Sequence, residues 1–320
     1  MKDFAGDKIR NVGLVGHGGV GKTSLAEALL FSMGESNRIG KIDDGSTISD
    51  YHPDEIERKI SISSSMLHGE WKEWKINILD TPGYSDFIGD TKGALSVTDM
   101  AVVVLSAIEG VEVGTEQVIE FADEYEIPRL FFINRLDNEH ANFEKALKSV
   151  QDQYGNGVVA FQIPINQGEG FNKVIDLINM KLITFSSDSS GKGTVSDIPD
   201  EHKAKAEELR NKIVESAAES DDALMEAYFD AGELTEEQLL QGIRKGLLSR
   251  SMLPVLCGSA DKNMGTHQLL EVIGQFGPST LDFEKITGTE PGSDNAVERN
   301  ISEKDPLSSL VFKTVSEAHV

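Results

Sequence analysis

The sequence predicts a doubly wound α/β fold with a mixed, mostly parallel sheet, carrying an α+β insertion. Three observations predict it. Between about 11 and 159, short apolar runs suited to buried strands alternate with runs whose apolar residues recur at helical spacing. A glycine-rich loop at 16–23 lies between one such strand and one such helix. The gap between Asp137 and Gly258 is too long for a simple connection and carries elements of its own.

The elements follow in order. Residues 11–16 (NVGLVG) suit a buried strand, and Leu25, Ala26, Ala28, Leu29 and Leu30 mark the buried face of the helix after the loop. Residues 60–67 and 74–79 read as a hairpin around Gly69, its second strand (KINIL) ending at Asp80. MAVVVLS at 100–106 and RLFFI at 129–133 are buried strands. Phe143, Leu147 and Val150 mark one helix face. Inside the gap, 158–164 reads as a strand and 171–180 as a short helix. Two helical runs follow, with i,i+4 pairs Leu224/Tyr228 and Met225/Phe229, then Leu239, Ile243 and Leu247. MLPVL at 252–256 is another buried strand, 283–305 is a polar linker, and 309–315 (SLVFKTV) reads as a strand whose partners do not fit in the few residues after it.

The loop carries the first chemistry. Gly16, His17, Gly18, Gly19, Val20, Gly21, Lys22, Thr23 and Ser24 fill G-x-x-x-x-G-K-[ST] and its flank. Glycines let the backbone N–H groups turn toward an anion, and the helix N-terminus adds partial positive charge. Lys22 is placed for the β- and γ-phosphates and the Thr23 hydroxyl for Mg²⁺. Asp80, Thr81, Pro82 and Gly83 (DTPG) end a strand at the sheet edge where ligands bind. Asp80 suits Mg²⁺, and the Gly83 N–H has room to approach the γ-phosphate. Asn134, Arg135, Leu136 and Asp137 (NRLD) follow a further strand. The Asp137 carboxylate can accept from guanine N1–H and N2–H₂, which adenine does not offer in that arrangement, while Asn134 braces the loop. Gly258, Ser259 and Ala260 end the next apolar run, where backbone groups can read guanine O6. Together these define a P-loop GTPase domain with GTP or GDP and Mg²⁺ as cofactors.

Bulk properties bound the rest. With 320 residues and 39% hydrophobic content, the chain can build a sizeable core. Its single cysteine, Cys257, excludes an internal disulfide and fits a reducing, cytoplasmic setting. The N-terminus lacks a signal-peptide core, and no stretch approaches the ~20 apolar residues of a membrane span. A net charge of −24 argues against nonspecific binding to bare nucleic acid. No spacing suggests zinc, and Trp71 and Trp74 read as packing residues.

The motif set resembles a translational GTPase, most closely bacterial elongation factor G. The resemblance is carried by GHGGVGKT at Gly16, ERKISI at Glu57, DTPGYSDF at Asp80, NRLD at Asn134 and GSA at Gly258. It implies a G domain at 1–157 and 254–282, a G′-like insertion at 158–253, a linker at 283–305, and the first strand of a second, β-barrel domain at 306–320. It implies a monomer that works with the ribosome, in translocation or a related step. Its partners would include the large-subunit stalk proteins, met by the insertion, whose 216–243 stretch has no Lys or Arg. Departures from the pattern cluster near the γ-phosphate. Gly19 replaces an aspartate, and Arg58-Lys59-Ile60-Ser61 stands where RGIT is usual, leaving Ser61 as the Mg²⁺ hydroxyl. Tyr84 replaces the histidine that positions the attacking water, and Arg135 replaces a lysine. The pattern is therefore that of a divergent paralog whose catalytic set is Tyr84, Gly83 and Lys22. Alternatives are a regulatory GTP/GDP switch with little hydrolysis, and a ribosome-protection or release-factor GTPase.

Overall fold

The computed structural model describes residues 3–283, 285–302 and 304–315. Strand β1 (Ile9–Val15) runs into the glycine loop and α1 (Lys22–Met33). A short helix α2 (Pro53–Arg58) precedes the hairpin of β2 (Ser65–Trp71) and β3 (Trp74–Asp80). Then α3 (Ile88–Leu95), β4 (Met100–Ser106), α4 (Val113–Glu124), β5 (Arg129–Asn134) and α5 (Phe143–Tyr154) alternate. Next come β6 (Val158–Ala160), β7 (Gln162–Pro164), β8 (Lys173–Asp176), β9 (Lys181–Phe185) and β10 (Gly193–Ser196). Helices α6 (Asp200–Ala218), α7 (Asp222–Ala231) and α8 (Glu236–Leu248) lead to β11 (Leu253–Cys257) and α9 (Thr266–Phe276). Strands β12 (Lys285–Thr289) and β13 (Ala296–Asn300) follow.

The large sheet has the order β2-β3-β1-β4-β5-β11-β6. Only β2 runs antiparallel to its neighbour. Every residue of β4 and β5 is buried, as expected for central parallel strands covered on both faces. The second sheet, β10-β9-β8-β7, is antiparallel. Its Val174, Ile175, Ile183 and Phe185 belong to the same buried cluster as the large sheet's core. The mixed P-loop GTPase sheet with an α+β insertion is therefore present, and the β-structure expected at the C-terminal end takes the form of the β12–β13 ladder. No helix among the described residues is long and apolar enough to cross a membrane.

Several elements differ from the sequence reading. The hairpin turns at Lys72 and Glu73, with Lys72 at φ 53°, while Gly69 sits inside β2 opposite Ile76. A Cβ at Gly69 would come within 2.8 Å of the Met33 side chain, so this glycine serves close approach and not a turn. The expected helix at 171–180 contains β8. Paired on both sides, β8 buries the consecutive Val174 and Ile175, which mimic a helical pattern. Helix α6 was missed because its buried residues are mostly small: Ala206, Ala217 and Ala218 beside Ile213. Residues 158–164 form two strands, broken at Phe161, and β6 adds to the large sheet while β7 starts the small one. The expected linker 283–305 contains β12 and β13, and 306–315 carries no assigned strand; 316–320 lie outside the described residues. In that tail, Lys313 Nζ donates to Ser64 O at 2.7 Å and to Asp90 Oδ2 at 3.3 Å, while Asp90 also accepts from Ser64 N at 2.7 Å.

Candidate functional site

Strands β1, β3, β5 and β11 all end at the same sheet edge, so the topology gathers the loops after them. A cavity of about 940 Å³ opens there. Gly18, Gly19, Gly21, Lys22, Thr23 and Ser24 line it, as do Ser61, Gly83, Tyr84 and Arg135.

The glycine loop is tightly constrained. Gly21 sits at φ 94° as the N-cap of α1, and a Cβ there would be 2.5 Å from Asn134 Nδ2. Lys22 Nζ donates to Gly16 O at 3.0 Å and His17 O at 2.8 Å, curling the side chain back over the loop. His17 Nδ1 accepts from Gly114 N at 3.2 Å, tying the loop to α4. Thr81 Oγ1 donates to Leu14 O at 2.7 Å, and Thr91 Oγ1 to Pro82 O at 2.8 Å, which fixes the segment after β3. The Tyr84 ring covers Gly18, and 43% of the residue stays exposed.

The expected Mg²⁺ residues come together. Thr23 Oγ1 donates to Asp80 Oδ2 at 2.8 Å and lies 3.0 Å from Ser61 Oγ. Among the described residues, Asp80 Oδ1 and Asp50 Oδ2 are buried without a hydrogen-bond partner. Burial, then the nearby Asp50 charge, pushes the Asp80 carboxyl up to about 7. Burial pushes Asp50 up to about 6 and the Lys22 ammonium down to about 8. Unmet carboxylate oxygens beside two hydroxyls form a hard-oxygen donor set that fits Mg²⁺, with room for phosphate and water as further ligands. Among the described residues no group of three or more His, Cys, Asp or Glu gathers as a metal site.

The loops at 134–137 and 258–260 are knitted to the glycine loop by Asn134, which is 2% exposed. Its Nδ2 donates to Val20 O at 2.9 Å, and its Oδ1 accepts from Ala260 N at 2.9 Å. Leu136 is buried, its N–H donating to Gly258 O at 3.2 Å. Ser259 pairs with Met264 through backbone hydrogen bonds at 2.9 Å in both directions. Arg135 takes φ 65°. Asp137 is half-buried, and its carboxylate has no hydrogen bond or ion pair among the described residues.

Other participants escaped the sequence reading. Glu27 on α1 is fully buried, its carboxylate accepting from Ile48 N at 2.6 Å and Gly40 N at 3.1 Å. Glu55 accepts from Ile62 N at 2.9 Å and Ser63 N at 3.0 Å. These carboxylates hold the segment that delivers Asp50 and Ser61. The signal for Glu27 was present: a lone acid inside the apolar run LAEALL. Asp50 had no such signal among the scattered acids around it. Trp71 packs edge-on against His267 at 4.9 Å, its Nε1 donating to Glu271 at 2.9 Å, which is a packing role.

Residues 7–279 match the elongation factor Tu GTP binding domain family. Among solved structures, the chain is similar to a protein of Thermus thermophilus at 30% identity and a TM-score of 0.81. The likeness covers 86% of this chain and 41% of that one, so the present chain spans well under half of its length.

Proposed function

Since the chain belongs to the elongation factor Tu GTP-binding domain family of translational GTPases, we propose that it is a Mg²⁺-dependent GTP hydrolase acting with the ribosome, as a divergent elongation factor G-like protein. The observation that carries this reading is the convergence of Thr23, Ser61 and Asp80 from three separate segments beside Lys22. Thr23, Ser61 and Asp80 would hold Mg²⁺, with Asp50 beside them. When bound, the ion supplies charge neutralisation at the phosphates. Lys22 would exchange the carbonyl oxygens of Gly16 and His17 for β- and γ-phosphate oxygens. The Gly83 N–H would approach the γ-phosphate, Asp137 would take guanine N1–H and N2–H₂, and the 258–260 backbone would take O6. Tyr84 orients the attacking water through its hydroxyl.

The domain reading completes the proposal. The G domain takes 1–157 and 254–282, and the insertion, with the acidic 216–243 stretch running from the end of α6 through α7 into α8, meets the stalk proteins. The protein is a cytoplasmic monomer. A second reading, a GTP/GDP switch that hydrolyses little, is favoured by Tyr84, which cannot become a cation and so stabilises developing phosphate charge less than histidine does. Single-turnover GTP hydrolysis with and without ribosomes separates the two. Stimulation by orders of magnitude supports the first reading, and a flat response supports the second. Tyr84→Phe in the same assay is expected to slow the stimulated step while leaving nucleotide affinity unchanged. Full stimulated turnover in that variant removes the hydroxyl from the mechanism.

A further inference from the structure

The nucleotide cavity has a wall that the glycine loop and its partners do not supply. Asp188 and Ser189 line it, although they sit between β9 and β10, in the small sheet of the insertion. The loop is held at the rim. Asn263 Nδ2 donates to Ser189 O at 3.0 Å. Asn263 is itself fully buried, and its Oδ1 accepts from Thr266 Oγ1 at 2.6 Å and Ser32 Oγ at 3.2 Å. Gly191 adopts φ 75°, and a Cβ there would be 2.7 Å from His267 Nε2 and 3.0 Å from Asn263 Nδ2. The loop therefore docks on the segment that follows Gly258-Ser259-Ala260, on the side of the cavity lined by Asp261 and Lys262.

Asp188 is oriented. Its Oδ1 accepts from the Ser186 hydroxyl and, at 3.0 Å, from Ser190 N. These bonds, together with the Ser190 hydroxyl, hold the carboxyl down to about 2, so it is an anion at neutral pH. A fixed carboxylate repels phosphate and can only accept hydrogen bonds. Between the base and the phosphates of a nucleoside di- or triphosphate, the neutral donors are the ribose hydroxyls.

We propose that Asp188 accepts hydrogen bonds from the ribose 2′- and 3′-hydroxyls of the bound nucleotide, making the insertion a sugar reader that selects ribonucleotides over deoxyribonucleotides. The inference rests on reading the cavity as a guanine nucleotide site.

Calorimetric titration of the nucleotide-free chain with GDP, 2′-deoxy-GDP and 3′-deoxy-GDP tests it. The native chain is expected to prefer GDP by about tenfold, the scale of a hydrogen bond to a charged group. Asp188→Ala is expected to bind all three alike, at or below the affinity the native chain shows for the deoxy forms, each of which keeps one of the two hydroxyls. Asp261→Ala, which changes another carboxylate that lines the cavity, is expected to keep the native preference. A native preference that survives in Asp188→Ala, or one that vanishes only in Asp261→Ala, overturns the assignment while leaving the nucleotide site intact. Failure of the native chain to bind GDP at all overturns the nucleotide reading with it. Asp188 is exposed, so its replacement leaves the core untouched.

Discussion

Replacing Asn134 by alanine removes two buried hydrogen bonds with one truncation. Val20 O loses its donor and Ala260 N loses its acceptor, both at 2.9 Å in the native chain. Each buried group left unpaired costs about 1–3 kcal/mol. The vacated volume adjoins the nucleotide cavity, so water recovers part of this, and the net loss is expected at about 2–4 kcal/mol. For a chain of this size that lowers the melting temperature by roughly 3–6 °C. The same truncation unties the glycine loop from the 258–260 loop, so GDP affinity falls in parallel, by about tenfold or more. Differential scanning fluorimetry and GDP titration measure the two effects. Asn134→Asp is the control: it keeps an acceptor for Ala260 N but sets a carboxylate against the Val20 carbonyl, and it is expected to lose stability as well. A melting temperature and a GDP affinity indistinguishable from the native chain's would refute the view that this side chain couples the two loops.

Asp137→Asn is expected to weaken GTP by more than about tenfold and to favour xanthosine triphosphate, whose 2-oxo group suits an amide donor; unchanged GTP affinity removes Asp137 from the base site. Hydrogen exchange across residues 45–59 is expected to slow with a nonhydrolysable GTP analogue and not with GDP, because Ser61 and the phosphate-side groups order this segment only together; equal protection in both states contradicts the switch. Asp99 gives a pH test, since burial pushes its carboxyl up to about 6 even though Asn11 Nδ2 donates to it at 2.8 Å. A folded-state value above the unfolded one favours folding at acid pH, and this contribution is lost as pH rises through about 6. Asp99→Asn is therefore expected to stabilise the chain by about 1–2 kcal/mol above neutral pH and by nothing in acid, as read by denaturant midpoints at both pH values. A gain of equal size at acid pH argues against titration as the cause.

The parts of the site legible in the sequence are those whose chemistry is local. The glycine loop, DTPG and NRLD each place their groups within a few residues at a strand end, so order along the chain announces them. Glu27 and Glu55 act on backbone groups 7 to 21 residues away; the lone acid in LAEALL marks Glu27, but no local pattern marks Glu55 or Asp50. Strand β8 and helix α6 were misjudged or missed for the opposite reasons. A doubly covered strand hides its alternation, and a helix that packs through alanine hides its stripe. The break at Phe161 is a tertiary event: its N–H donates to Val255 O at 2.9 Å and its carbonyl accepts from Leu177 N at 2.9 Å, so the residue joins two sheets at once.

The strand order β5-β11-β6 also sets an order of assembly. Strand β6 leaves the ribosome early, but its only neighbour in the large sheet is β11, which is made after the whole insertion. Until β11 arrives, β6 has no ladder to join, β5 presents an open edge, and the loop at 258–260 does not yet exist. Closing that long circuit is slow relative to the local β1–α1 and β2–β3 contacts. Nascent chains stopped before β11 should thus carry a glycine loop without its base-side brace, with an unpaired strand edge for chaperones to cover. The last strand to enter the sheet leads into the loop proposed to read guanine, so on that proposal the first capture of nucleotide also marks the moment the domain closes.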